Sequence, residues 1–130
     1  MFERPHLQQV VKRIQESRKF IQVILGPRQV GKTTLVNQLV QKYASESLVV
    51  SADAVGASNS LWLEQQWETS RIKLKQSGAK EFLLVVDEIQ KINNWSETVK
   101  LLWDTDTKNN VSLKVVVLGS SRLLIHASVP

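Results

Sequence analysis

The sequence predicts an α/β fold in which a parallel β-sheet lies between two layers of helices. Short, predominantly apolar runs at residues 20–25, 82–86 and 111–118, the last dominated by Val, are typical of buried strands. A shorter run at 47–51 predicts a further strand, and stretches with helical spacing separate these runs. No internal repeat or low-complexity tract interrupts the alternation, so residues 1–130 are predicted to form a single domain.

Composition excludes several functional classes. A chain of 130 residues with 42% hydrophobic content supports one core. It has no cysteine for a disulfide or a thiolate metal site, and its two histidines, His6 and His126, are far apart. The charged N-terminus and the lack of a long apolar run predict a cytoplasmic protein without a membrane partner. A net charge of +5 leaves a nucleic-acid partner open, although the basic residues form no dense tract.

A glycine-bounded loop follows the first predicted strand. Residues 26–33 match G-x-x-x-x-G-K-[ST] at every fixed position. The two glycines let several backbone N–H groups approach one phosphate, and the helix that follows directs its dipole at the same anion. The sequence therefore predicts a nucleotide phosphate site formed by Gly26, Pro27, Arg28, Gln29, Val30, Gly31, Lys32, Thr33 and Thr34.

Two side chains of this loop have expected roles in chemistry. Lys32 is predicted to place a positive charge beside the β and γ phosphates, and Thr33 to offer its hydroxyl to Mg²⁺. The expected ligands are ATP or ADP together with Mg²⁺.

An acidic pair ends the strand predicted at 82–86. Five apolar residues followed by Asp87 and Glu88 resemble a Walker B motif. In open α/β sheets ligands bind beyond the carboxyl ends of the strands, so Asp87 is predicted to hold the Mg²⁺ shell there. Glu88 is predicted to be catalytic, because the next side chain can reach the water that attacks the γ-phosphate.

Two further polar residues are candidates for the same edge. Ser120 follows the strand at 111–118 and is predicted to sense the γ-phosphate as part of the catalytic group, although Gly-Ser-Ser is also ordinary turn chemistry. Asp53 follows the second strand, and it either faces the nucleotide or only forms a turn.

The remaining segments are predicted from periodicity and caps. Residues 5–19 should form a helix that either packs on the sheet or also contacts the nucleotide base. Residues 52–60 read as a loop, and 61–76 as a helix that Gly78 ends. Asn94 and Glu97 resemble a capping box that starts a helix reaching the polar stretch 104–110.

Together, the strings GPRQVGKTTL, VVDEIQKINNW and VVVLGSSRLL resemble the bacterial and archaeal AAA-like ATPases of the AAA_14 family, which are usually fused to a C-terminal DUF4143 region. The resemblance covers essentially the whole chain. It implies a three-layer αβα P-loop NTPase core of the additional-strand type, with Glu88 as the catalytic glutamate and Ser120 near the sensor position. It also implies the strand order 1-4-3-2.

Members of the family continue with a fifth core strand, a lid and a C-terminal region. We therefore expect this chain to be the N-terminal part of an ATPase domain, truncated before those elements. A homo-oligomer or a protein partner would then involve the missing region. We also expect the first strand's open edge to be covered by another segment or chain, or to be locally disordered.

The leading functional hypothesis is Mg²⁺-dependent ATP hydrolysis in the full-length form, with weak or absent turnover in the fragment. The alternatives are a nucleotide-dependent switch or scaffold with little turnover, and a nucleic-acid-associated ATPase. A small-molecule kinase also stays open. The absence of an Asn-Lys-x-Asp motif argues against a GTPase.

Overall fold

The computed structural model describes residues 21–25, 37–38, 41, 46–55 and 59–119. Four strands in these ranges form one parallel sheet, and two helices, α1 (Ser60–Ser77) and α2 (Trp95–Lys108), accompany it. The strands are β1 (Gln22–Leu25), β2 (Ser47–Ser51), β3 (Phe82–Asp87) and β4 (Leu113–Gly119). Their order is β1-β4-β3-β2, which confirms the predicted α/β class and strand order.

Burial of the strands follows their place in the sheet. β3 and β4 each lie between two other strands, and their apolar side chains are buried throughout. β2 is paired with β3 on one side, and its residues are mostly half-buried, with Val49 39% exposed. Continuous apolar runs at 82–86 and 115–118 therefore mark the two inner strands, as expected for a parallel sheet.

One face of the sheet packs against α1 and α2. Alternate side chains of β3 and β4 point to this face, because successive strand residues face opposite sides. The buried cluster that results joins strand residues Leu84, Val86, Val115 and Val117 to helix residues Leu63, Trp67, Val99 and Trp103. Burial of a large side chain of this kind contributes about 1.5–3 kcal/mol.

A buried carboxylate joins α1 to α2. Asp106 on α2 is only 1% exposed, and it accepts hydrogen bonds from two side chains of α1. Nε1 of Trp67 donates to its Oδ2, and Nε of Arg71 donates to its Oδ1, each at 2.7 Å. Arg71 also donates from a terminal nitrogen to the Leu102 carbonyl at 3.2 Å. The two helices are therefore linked by directional bonds as well as by apolar packing.

The ends of α1 show why the helix has these bounds. The Asn59 side chain accepts a hydrogen bond from the Leu61 N–H at 2.8 Å, which caps the first turn. Gly78 follows the last turn with a left-handed backbone (φ 71°), a conformation that costs glycine little. The predicted helix and its stop at Gly78 are confirmed, and the helix begins at Ser60, one residue earlier than expected.

Three predicted segments differ from the structure. Residues Ala52–Val55, expected in a loop, form a 3₁₀ turn that is too short to show periodicity. The helix expected to reach the polar stretch at 104–110 continues through it to Lys108, because the polar side chains there are mostly its exposed face. The last strand begins at Leu113 and ends at Gly119.

The predicted capping box at Asn94 is wrong. Asn94 precedes α2, but its backbone is left-handed (φ 57°, ψ 31°) and its side chain makes no capping hydrogen bond. A side-chain N-cap needs a backbone in the β region. The Asn94 carbonyl instead accepts the Thr98 N–H at 3.1 Å, so the backbone alone begins the helix.

Several predictions fall outside the described residues. These are the helix at 5–19, nearly all of the helix after the phosphate loop, and the fate of the open edge of β1. Asn37, Gln38 and Gln41 are helical and exposed, as the polar side of that second helix requires. Within the described ranges, none of the helices has the length and apolar character needed to cross a membrane.

Candidate functional site

The candidate site is built at the carboxyl edge of the sheet, where β3 ends. The apolar residues of β3 are buried between the neighbouring strands, and Asp87 is the first side chain of the strand to be half-buried. Parallel strands all end at the same edge, so the last residues of β1, β2 and β4 lie at the same edge of the sheet as Asp87. The pairing of Ser51 with Asp87 and of Leu25 with Gly119 fixes this alignment.

Glu88 follows Asp87 in a backbone conformation that is rare for its residue type. Its φ of 54° and ψ of 42° are left-handed. The other described non-glycine residues with positive φ are Asn94 and Asn110, and asparagine tolerates this region well. A left-handed glutamate persists only where the surrounding structure holds it, and such residues are often found at functional sites.

The turn after Asp87 holds this conformation with local hydrogen bonds. The Glu88 N–H donates to Oδ1 of Asp87 at 2.8 Å. The Glu88 carbonyl then accepts the Lys91 N–H at 3.1 Å, which closes a 3₁₀ turn over Ile89–Lys91. The two acidic residues are therefore part of one hydrogen-bonded unit.

The side chain of Glu88 is buried and is held by a hydrogen bond. It is 6% exposed, and its Oε1 accepts a hydrogen bond from Nε2 of Gln90 at 2.6 Å. A buried charged group needs hydrogen-bond donors, since its desolvation otherwise costs several kcal/mol. Gln90, which lies two residues further along the same turn, supplies one such donor.

Buried isoleucines anchor this turn to the core. Ile89 and Ile92 are fully or almost fully buried in the cluster beneath the sheet face. The Ile92 N–H donates to the Ile89 carbonyl at 3.1 Å. We name the segment from Asp87 to Ile92 the acidic turn.

The acidic turn is tied to the end of β2 by an ion pair. Nζ of Lys91 lies 2.8 Å from Oδ1 of Asp53, with both side chains about half exposed. The Asp53 N–H donates to the Ser51 hydroxyl at 3.2 Å, within the 3₁₀ turn after β2. Asp53 is therefore at the same sheet edge and takes part in a turn, and a role for it toward nucleotide stays a hypothesis.

The other candidate residues lie outside the described part of the chain. These are the phosphate-loop residues Gly26, Pro27, Arg28, Gln29, Val30, Gly31, Lys32, Thr33 and Thr34, and the sensor candidate Ser120. Their strands are described up to the residues that precede them. β1 ends at Leu25 and β4 ends at Gly119, and these two residues are paired across the sheet.

The donors present at this edge fit Mg²⁺ held jointly with phosphate. No group of three or more His, Cys, Asp or Glu residues in the described ranges is arranged to hold a metal ion by itself. In nucleotide sites Mg²⁺ takes one or two protein carboxylates and completes its shell with phosphate oxygens and water. Asp87, with a half-buried carboxylate at the strand end, is a donor of this kind.

Sequence analysis predicted Asp87 and Glu88 for this edge, but it did not single out Gln90 and Lys91, which bond to the same turn. The missing signal was the pattern of the turn, in which two polar residues stand between Ile89 and Ile92 directly after the acids. Two apolar residues three apart indicate one turn with a buried side, and the intervening side chains are then close to the acidic pair.

Comparison with known proteins identifies the family. The profile of AAA_14, described as an AAA domain, matches residues 5–129. The chain belongs to this family. No curated protein is significantly similar to this AAA_14 member in sequence.

A solved structure shares the fold of this AAA_14 domain. It is a chain from the work described as "Structural Basis for Katanin Self-Assembly", with a TM-score of 0.57 and 16% sequence identity. The similarity covers 92% of the present chain and 44% of the katanin chain, so the present chain spans less than half of that length. At this identity the likeness shows an AAA-type α/β fold and no more.

Proposed function

We propose that this protein binds ATP with Mg²⁺ and hydrolyses it to ADP and phosphate. The observation that carries the proposal is the acidic turn, in which a half-buried Asp87 and a buried, left-handed Glu88 stand together at the carboxyl end of β3. Membership of an AAA family and the phosphate-loop sequence support the same function.

The strand order supports a site that extends from the phosphate loop to the acidic turn. β4 lies between β1 and β3, so the ends of β1 and β3 are two strand spacings, or about 10 Å, apart. A phosphate group at the loop after Leu25 and a metal ion beside Asp87 fit within this distance. Ser120 directly follows β4 in the sequence, and we propose it as the γ-phosphate sensor.

Each residue has a distinct proposed role. Backbone N–H groups of residues 26–34 and the Lys32 ammonium bind the phosphates, and Thr33 and Asp87 hold Mg²⁺. Mg²⁺, when bound, neutralises charge that develops on the β and γ phosphates. Glu88 orients the attacking water and accepts its proton, a role that the burial of its carboxylate at the strand end supports.

Assembly with further copies is a separate part of the proposal. The katanin chain that shares this fold belongs to a self-assembling protein. By analogy, we propose that the present protein forms a homo-oligomer in the cytoplasm. We also propose that residues 1–130 are part of a single ATPase domain. Sedimentation of the natural protein at full length, with and without ATP, tests this part.

ATP binding and hydrolysis by the natural full-length protein test the main proposal. Single-turnover assays with labelled ATP should show phosphate release that requires Mg²⁺. Lys32→Ala should weaken ATP binding by about 10- to 100-fold, since a charge-assisted contact contributes about 1.5–3 kcal/mol. Lys100→Ala, on the exposed face of α2, is the matched control and should bind like wild type.

Asp87→Asn separates metal binding from phosphate binding. This variant should keep nucleotide affinity without metal and require a higher Mg²⁺ concentration for turnover, because one anionic ligand is lost. Wild-type ATP affinity in Lys32→Ala, or hydrolysis that does not depend on Mg²⁺, would contradict the proposed site.

A further inference from the structure

The hydrogen bond from Gln90 to Glu88 points to a role for Gln90 that the motif does not assign. Nε2 of Gln90 donates to Oε1 of Glu88 at 2.6 Å, and both side chains are at least partly buried. We propose that Gln90 is a positioning residue, which fixes the Glu88 carboxylate in the orientation from which it accepts a proton from the attacking water. This inference rests on the proposed function, because it presumes that Glu88 acts on that water.

The acidic turn gives Gln90 a fixed backbone from which to act. Ile89 precedes Gln90 and Ile92 follows two residues later, and both are buried in the core. The two backbone hydrogen bonds at 3.1 Å, Lys91 to Glu88 and Ile92 to Ile89, close the turn between them. Core packing therefore holds in place the backbone from which the Gln90 side chain reaches Glu88.

The Glu88 side chain needs such a constraint. Glutamate has three rotatable side-chain bonds, and proton transfer requires its carboxylate within about 3 Å of the water. The left-handed backbone of Glu88 sets the direction of its Cα–Cβ bond. The amide of Gln90 then holds one carboxylate oxygen and limits rotation of the group.

The choice of donor also fits this role. Gln90 is neutral, so it orients the carboxylate without forming a salt bridge to it. The adjacent cation, Lys91, is directed elsewhere, to Asp53 at 2.8 Å. Gln90 and Lys91, neighbours in one turn, therefore bind different acids, and the positive charge of Lys91 lies on the side of β2.

Substitution of Gln90 tests the inference in the natural full-length protein. Gln90→Met keeps the side-chain length and removes the donor, and the single-turnover rate should fall about tenfold, which corresponds to about 1.4 kcal/mol. The dissociation constant for ATP should stay within about twofold, because the residue acts on the transition state. Gln90→Glu should lower the rate at least as much, since it places a second carboxylate beside Glu88.

Two controls separate positioning from other effects of the substitution. Gln76→Met makes the same change at an exposed position of α1 outside the acidic turn, and its rate should stay within about twofold of wild type. Gln90→Asn keeps the amide but withdraws it by one methylene group, and its rate should fall as in Gln90→Met. Thermal unfolding of each variant confirms that the rates refer to folded protein. A wild-type rate in either Gln90→Met or Gln90→Asn would overturn the inference.

Glu88→Gln distinguishes failure of the inference from failure of the proposed function. If Glu88→Gln loses turnover while Gln90→Met does not, the function stands and the positioning role is wrong. If Glu88→Gln hydrolyses ATP like wild type, the assigned role of Glu88 is wrong, and the inference fails with it. The double variant should be no slower than Glu88→Gln alone, because Gln90 acts only through Glu88.

Discussion

Two buried acids of this protein are held in different ways. Asp106, at 1% exposure, is bound by donors 35 and 39 residues away in the chain, across the contact between α1 and α2. Glu88, at 6% exposure, is bound by Gln90, two residues further along the same turn. The backbone is regular helix at Asp106 and left-handed at Glu88.

From this difference we infer that Asp106 stabilises the fold, whereas we propose that Glu88 acts at the candidate site. Asp106 is enclosed between two helices, and its bonds to Trp67 and Arg71 form only when the helices pack. Glu88 stands at the sheet edge where ligands bind in α/β folds, and its bonds to the acidic turn are local. We therefore expect loss of Asp106 to reduce stability and loss of Glu88 to reduce turnover.

Removal of the Asp106 carboxylate should have the largest effect on stability. Asp106→Ala leaves Arg71, whose side chain is only 21% exposed, and the Trp67 indole without their shared acceptor. The free energy of unfolding should fall by about 3 kcal/mol, at the lower end for a broken buried pair because Arg71 reaches some solvent. Urea unfolding measures this loss of stability. A loss below about 1 kcal/mol would show that the Asp106 carboxylate is not a stabilising group.

Removal of one donor to Asp106 should have a smaller effect. Trp67→Phe keeps an aromatic ring in the core but loses the 2.7 Å bond from Nε1, while the bond from Arg71 remains. We expect a loss of about 1–3 kcal/mol in the free energy of unfolding. Trp95→Phe, at a buried indole without a hydrogen bond to described residues, is the matched control. Equal losses in the two variants would show that ring volume, and not the hydrogen bond, is responsible.

An exposed acid should have the smallest effect. Asp104, two residues before Asp106 on α2, pairs with Lys100 at 3.3 Å, and both side chains are more than half exposed. Asp104→Ala should change the free energy of unfolding by less than about 0.5 kcal/mol, as is usual for an i,i+4 surface pair. A loss comparable to that of Asp106→Ala would mean that burial does not set the contribution of an acid on this helix.

Much of the fold could be predicted from the sequence because it depends on burial. The inner strands β3 and β4 have no exposed side, so their residues are mostly apolar and the strands show directly in the sequence. α1 stops at Gly78, and this stop could be predicted because glycine readily adopts the left-handed backbone found there. Asp87 and Glu88 could be located because they interrupt an apolar run at its carboxyl end.

The rest depends on contacts that local patterns do not encode. Asp106 lies in a polar stretch, and nothing nearby in the sequence distinguishes it from its exposed neighbours, because its partners are on another helix. The left-handed backbone of Glu88 arises from the acidic turn as a whole, and a 3₁₀ turn of three residues is too short for periodicity. Asn94 has the residue type of a helix cap but the wrong backbone for one.

The same chemical change at both acids tests the central claim most directly. Glu88→Gln and Asp106→Asn each replace a buried carboxylate by an amide, and each variant is measured for single-turnover ATP hydrolysis and for unfolding in urea. Glu88→Gln should lower the rate by about 100-fold or more with ATP still bound, because general-base catalysis contributes about 10²–10⁴-fold. Asp106→Asn should keep the rate per folded molecule and lose stability. Wild-type hydrolysis by folded Glu88→Gln would contradict the assignment of the acidic turn as the site of ATP hydrolysis.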